Sequence, residues 1–415
     1  MTKNQLKLLG ATGLMAGFIA CGDKADDADT AGDAATDDGG ATDGDADGGA
    51  DADADGAAEF VWPEGTADAV ANYSAIVEAS YADSVATATA LNEAIATLVS
   101  DPSNGSLGMA QDAWLDSRIP YLQTEVYRFY EGPIDNEEDG PEGLINAWPL
   151  DEHYIDYVAD DANAGMINDL NITIDAATLE AANEEGGDAN IATGFHAIEF
   201  LLWGQDLSES GPGARSFTDY TNSAANYERR GLYLTTVGTM LVDHLTGVHA
   251  QWVEGADYRT AFESDTAAAV EKILTGMIIL SGFETGGERL QAALDAADQE
   301  EEHSCFSDNT HVDMIQDVQG VHNVWNGTYG DIAGTSLASI VAEVDADLAT
   351  RVGDKIDASL ALANALPVPF DNAIAEGNTE GRAAVEALVV SLQEQEAVLQ
   401  EVFDALGLSV EIPTE

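Results

Sequence analysis

Basic side chains are nearly missing from this chain. Its 415 residues carry 14 Lys and Arg against 77 Asp and Glu, a formal net charge of −63. Such a surface repels nucleic acid and anionic lipid, so neither is an electrostatic partner. Cysteine is almost absent as well: Cys21 and Cys305 are the two in the chain, and no disulfide is expected between them. The longest apolar run near the start, Leu8 to Ala20, is about 13 residues, too short for a comfortable membrane span. Several catalytic signatures are missing. The sequence holds no His-Glu-x-x-His, no His-x-x-Glu-His, no Gly-x-Ser-x-Gly elbow and no phosphate loop. Alternating strand patterns are sparse.

What remains is apolar, acidic and helical in pattern. Hydrophobic residues make up 45% of the chain, ample for a core, and the length allows two or three compact domains. Residues 1–20 read as a secretory signal, with Lys3 and Lys7 as a short basic region ahead of the apolar run. Phe18-Ile19-Ala20-Cys21 resembles a bacterial lipobox, so Cys21 is expected to carry lipid and anchor the protein to the membrane. Gly22 after it lacks the Asp that signals inner-membrane retention, so the outer membrane of the cell envelope is the expected location. Residues 21–59 form an acidic tether: from Gly22 on it holds 13 Asp, one Glu and a single Lys, without apolar periodicity. Such composition cannot offset the entropy of ordering and is expected to stay disordered. Asp51-Ala52-Asp53-Ala54-Asp55-Gly56 imitates half of a calcium loop, but Trp62 stands where the bidentate Glu belongs. From residue 60 onward there are still 11 basic and 63 acidic residues, a net −52, as expected of a protein adapted to high salt.

Helical periodicity runs through 66–100, 107–130, 151–158, 175–185, 226–253, 260–283, 285–299, 335–365 and 380–405. Gly211-Pro212-Gly213 is the best internal boundary, so helical bundles are expected over 60–213 and 214–415. Gly194-x-His196 with Trp203-Gly204 is echoed by Gly320-x-His322 with Tyr329-Gly330, which reads as a diverged tandem repeat.

The stretch Gly194 to Gly204 is apolar nearly all round, the pattern of a buried helix. Within it His196 and Glu199 share a face at i and i+3. Ionisable groups on such a helix need partners, because burying them alone is costly. A metal ion, a polar ligand or a hydrogen-bonded network would supply them. Oxygen and imidazole donors without thiolate suit iron or zinc better than copper(I). Two ligands are too few. Glu125 is the first choice for a third, on an expected helix from Tyr121 to Tyr130 beside Arg128. Asp151, Glu152 and His153 form a second set. The segment 300–311 is another candidate, with His303, Asp308 and His311 around Cys305.

The Gly-x-His-x-x-Glu pattern followed by Phe200-Leu201-Leu202-Trp203-Gly204-Gln205-Asp206 resembles the signature of the imelysin family, its iron-regulated protein A branch above all. Thr124 to Tyr130, Gly132-Pro133-Ile134-Asp135, Ile145 to Glu152, Leu280 to Glu284 and Asp298 to His311 carry the same likeness. The resemblance implies an all-α fold of two related bundles in tandem and a role in iron acquisition at the cell envelope. It implies a bound metal ion or iron compound as ligand, and envelope iron-uptake proteins as partners. Imelysins have also been classed as metallopeptidases, with Glu199 then a general base beside a metal on His196. A structural or adhesive envelope protein is the third reading.

Overall fold

Residues 60–208 and 211–408 are described by a computed structural model. The signal sequence, Cys21 and the acidic tether expected over 1–59 lie outside the described residues. Ten α-helices of eight residues or more carry the architecture among those described. They are α1 (Thr66–Ser100), α2 (Asn104–Leu122), α3 (Gly194–Trp203), α4 (Tyr227–Trp252) and α5 (Asp257–Ser264), then α6 (Thr266–Ile278), α7 (Thr310–Asn326), α8 (Leu337–Val344), α9 (Ala346–Ala363) and α10 (Thr379–Ala405). Among the described residues strand is confined to a two-residue antiparallel ladder, Thr328↔Ala333 and Tyr329↔Ile332. The all-α expectation holds.

Local chemistry sets the helix ends. Ser103 and Ser106 exchange side-chain and backbone bonds in a capping box that starts α2. The expected helix over 335–365 is instead two, because the Asp345 carboxylate accepts from the Asp347 and Leu348 amides and starts α9 afresh. A larger departure concerns 107–130. The helix stops at Leu122, and Glu125–Tyr127 is a single 3-10 turn. Downstream, the Asp135 carboxylate accepts from the Phe129 and Gly132 amides, while Phe129 and Glu131 take positive φ of 72° and 57°. That carboxylate-centred loop replaces the last helical turns. Glu125 and Arg128 therefore sit on a turn and a loop rather than on the expected aromatic helix.

The helices pack in two groups. α1 lies against α2 and α4, while α9 and α10 pack with each other and with α7 and the segment after α6. Thus α4, beyond the expected boundary at 213, lies along α1. Among the described residues, Val61 to Leu408 belong to one compact unit. The C-terminal core is built from Leu290, Met314, Val318, Phe370, Leu388 and Leu392. Thr266–Ala296 is long and apolar enough to cross a membrane by length and composition, but more than half of its apolar window is buried among other helices.

After α6 the chain does not leave the helix. It widens into a π-helix over Ile279–Gln291, a form that is rare beyond a single turn. The wider winding brings residues five apart onto one side. Arg289 Nε accordingly donates to Glu284 Oε1 at 3.2 Å.

Candidate functional site

Two glycines let the site close. Gly194 opens α3 at φ +82°, and a Cβ there would stand 2.5 Å from the Ile145 carbonyl oxygen. Only glycine allows α3 to start hard against the end of the short helix Glu142–Ile145. On α7, a Cβ on Gly320 would lie 2.7 Å from the Gln123 carbonyl, so α7 crosses the end of α2 closely. The echo between these positions is not an equivalence, since Gly194 begins a helix and Gly320 lies inside one.

His196 and Glu199 meet as the i, i+3 spacing requires. His196 Nδ1 is 2.9 Å from Glu199 Oε2, and the residues are 1% and 0% exposed. The other carboxylate oxygen accepts from the Ser307 amide at 3.0 Å and its hydroxyl at 2.7 Å. The 300–311 segment thus reaches the site, and it brings a second imidazole. The His303 ring stands 4.9 Å from that of His196, centroid to centroid, in a T-shaped arrangement. His303 Nδ1 is 2.7 Å from Asp313 Oδ2. Each histidine therefore has one ring nitrogen fixed by a carboxylate. His196 Nε2 is buried with no hydrogen-bond partner at all.

Around this pair lies a shell of ion pairs. Arg118 donates to Asp313 at 3.2 Å and to Asn146 Oδ1 at 2.5 Å. Its guanidinium is stacked among the rings of Trp114, Tyr121 and Phe195, 4.9–5.6 Å from their centroids. Arg289, from the π-helix, bonds Asp317 at 2.9 Å and Glu125 at 2.5 Å, and Arg128 reaches the same Glu125 oxygen at 2.6 Å. Glu125 Oε1 and Asp317 Oδ1 receive no well-formed hydrogen bond, although the Tyr121 hydroxyl stands near Glu125.

Electrostatics divide these groups sharply. Burial alone would raise the Asp313 carboxyl, but Arg118, His303 and Ser304 drive it well below the usual range. Glu125 is likewise held ionised by Arg128 and Arg289 against its burial. Glu199 goes the other way: burial pushes it up to about 8, only partly opposed by Ser307. Burial, with Arg118 adding to it, keeps His196 neutral, and burial with Arg289 lowers His303 to about 3. Two neutral imidazoles face each other beside one carboxyl that holds its proton at neutral pH. Neutral imidazole is the form that binds metal, and a carboxylate on the other ring nitrogen is the usual support for such a ligand.

The remaining sequence candidates separate. Asp151, Glu152 and His153 place one ligand atom each within 4.8 Å of one another, with Asp151 and His153 exposed and Glu152 buried. His311 is half-buried, its Nδ1 3.2 Å from the Asp308 carbonyl. Cys305 is buried, and burial pushes its thiol up. The site also contains residues that sequence reading passed over: Arg118, Asp313, Asp317, Arg289 and Ser307. A signal for three of them was present. Arg118 falls on the buried stripe of α2 with Leu107, Trp114 and Tyr121, and Asp313 and Asp317 repeat at i, i+4 on the buried side of α7.

The architecture is thus that of an all-helical protein enclosing a buried pair of carboxylate-supported histidines at the start of a glycine-opened helix. The imelysin family model matches residues 77–399, and the chain belongs to that family. Iron-regulated protein A of Synechococcus elongatus is 25% identical over 323 residues, spanning 75% of this chain and 78% of that protein. A crystal structure described as an iron-regulated protein A precursor from Parabacteroides distasonis is similar in fold, with a TM-score of 0.67 at 19% identity. The likeness covers 84% of this chain and 97% of that one.

Proposed function

We propose that this chain is a cell-envelope lipoprotein that binds iron, as the ion or a small iron compound, at His196 and His303. The observation that carries the reading is His196 Nε2. A ring nitrogen buried without a partner is costly unless something occupies its lone pair. With Nδ1 donating to an ionised Glu199, Nε2 becomes a free ligand atom, and His303 on Asp313 repeats that arrangement. Nitrogen donors backed by carboxylates fit iron or zinc. The relatives named for iron regulation favour iron among these. The expected Cys21 lipid anchor would hold the domain at the outer membrane, and envelope iron-uptake proteins would be its partners.

Binding needs a proton to leave. Glu199, raised to about 8, is protonated at pH 7 in the empty site and must ionise to orient His196 as a ligand. Iron uptake should therefore release about one proton below pH 8 and tighten as pH rises from 6 to 8. Hydrolysis is less well served. A catalytic zinc keeps an open position for water and substrate, whereas His196 and His303 are 1% and 2% exposed.

Elemental analysis of metal-depleted protein after exposure to iron(II), iron(III) and zinc tests the proposal. Iron should be retained by the wild type and lost in His196→Ala and His303→Ala. Full retention by both variants would refute it. Peptide cleavage abolished by the same substitutions would replace it with a peptidase.

A further inference from the structure

The loop that carries His303 and Ser307 to the histidine pair presents its alternate side chains to a different place. Glu302, beside His303, is 1% exposed, and neither carboxylate oxygen receives a well-formed hydrogen bond, although the Thr310 hydroxyl stands nearby. Asp206, just past the end of α3, is 3% exposed, and its Oδ2 is buried without a partner. Asp371, in the short helix Phe370–Ile374, has a buried and unpartnered Oδ1. Asp308 closes the group from the loop's other end, at a positive φ of 58°. Three separate segments thus carry acids within electrostatic reach of one another. Glu302 feels the charge of the other three, Asp308 that of Asp206 and Asp371, and Asp206 that of Asp371. No arginine or lysine is among the groups acting on Glu302, Asp206 or Asp308. The buried acids Asp313, Glu125, Asp317 and Asp156 are each met by a guanidinium group; Glu302, Asp206 and Asp308 are not.

We propose that Glu302, Asp206, Asp371 and Asp308 form a second cation site, distinct from the histidine pair, that takes a hard, oxygen-ligated divalent cation. The donor set is all carboxylate, which suits calcium or magnesium rather than iron or zinc. Among the described residues no three of these acids bring ligand atoms within 4.8 Å of one another. The ion therefore keeps part of its water shell, with waters bridging to the carboxylates. Its consequence is mechanical. Bound there, the cation ties the 302–308 loop to the end of α3 and to the C-terminal helices. It fixes the segment from which His303 and Ser307 reach the first site.

The test uses full-length protein stripped with chelator, in molar sodium chloride so that diffuse binding to the acidic surface is suppressed. Calcium and magnesium are titrated by calorimetry and by melting temperature. The expected result is one equivalent of divalent cation bound, with a melting temperature raised by several degrees. Glu302→Gln and Asp371→Asn should each weaken binding at least tenfold, and Glu199→Gln should leave it within twofold. Gln at 302 is nearly isosteric and neutral, so folding is preserved if the carboxyl is merely protonated. The proposal is overturned if neither cation raises the melting temperature beyond the sodium control, or if Glu302→Gln binds as the wild type does. It is overturned equally if Glu302→Gln alone melts higher than the wild type and no divalent cation stabilises either. Loss of iron binding in His196→Ala with calcium binding intact would show that the two sites stand or fall separately.

Discussion

Two buried charge clusters border α3, and they handle burial in opposite ways. At Asp156, both carboxylate oxygens are used: Arg230 takes Oδ2 at 2.6 Å and Oδ1 at 2.9 Å, and Arg215 takes Oδ2 at 2.9 Å. The guanidinium groups also lie over the Tyr157 and Phe200 rings, 5.2–5.3 Å from their centroids. Against its burial, the arginines hold Asp156 below the usual carboxylate range. Of these three residues only Arg215 Nε is left over. The histidine pair is built from the same kinds of residue and is just as dry, yet His196 Nε2, Glu125 Oε1 and Asp317 Oδ1 are left open. Burial of ions is common to both clusters. The difference is whether the charges satisfy one another, and only the cluster with unspent polar atoms has something to offer a ligand.

That contrast can be broken most severely at Asp156. Replacing it with Asn leaves two guanidinium groups buried with weak acceptors, a loss of about 3–5 kcal/mol. Urea unfolding should report that fall while iron binding to the remaining folded protein stays unchanged. An Asp156→Asn protein as stable as the wild type would remove the structural side of the comparison.

The histidine pair should answer in reverse. Glu199→Gln resembles the protonated state already present at neutral pH, so its stability cost should stay below about 1 kcal/mol, within the range of mild substitutions. Iron affinity should fall roughly 10–100-fold, the usual effect of losing a ligand's carboxylate support. A large drop in stability with binding intact would turn this pair into a second clamp.

The pH dependence of the metal-free protein sharpens the same point. Burial raises Glu199 to about 8, and Glu142 and Asp317 to about 7. A carboxyl raised in the folded state binds its proton more tightly there than in the unfolded chain. Its contribution to stability is lost as pH rises from the ordinary value toward the raised one. His196 and His303 are lowered by burial, so they cost stability only as pH falls below about 6.5. Between pH 6.5 and 8 only the carboxyls act, and thermal stability should fall. Glu199→Gln should flatten part of that slope, whereas Asp156, lowered in the fold, adds nothing to it above pH 6. Stability that is level over this window would contradict the raised carboxyls.

Much of this was readable from sequence where periodicity carried the signal. The bounds of α1, α4 and α10 fall within a residue or two of the expected 66–100, 226–253 and 380–405. His196 and Glu199 on one face of a buried helix followed from spacing alone. Legibility failed where tertiary structure overrode pattern. The Asp135 carboxylate, six residues downstream of Phe129, unwound the expected helix around Glu125. α7 was hidden because Asp313, Asp317 and Asn323 interrupt its apolar stripe, and those polar residues are buried only because Arg118, Arg289 and Gln123 meet them. No local pattern announces a partner 195 residues away. Nor did the sequence show that His303 would stand against His196, since the loop between Gln299 and Asn309 has no period to read.

The smallest expected effect belongs to the second set of ligand candidates. Asp151, Glu152 and His153 gather three ligand atoms within 4.8 Å. His153 Nδ1 lies 3.3 Å from Asp151 and Nε2 lies 3.4 Å from Asp160, so both ring nitrogens already face carboxylates. The imidazole is half exposed, and water can solvate whatever these carboxylates leave unmet. His153 escapes most of the burial imposed on His196. His153→Ala should therefore change stability by less than about 0.5 kcal/mol, as surface substitutions do. Iron binding should stay within twofold of the wild type, with at most a weak zinc affinity lost. Calorimetric titration of His153→Ala beside His196→Ala measures both. Equal loss of iron in the two variants would mean that buried, unspent polar atoms do not mark the site, and that the exposed turn has to be counted part of it.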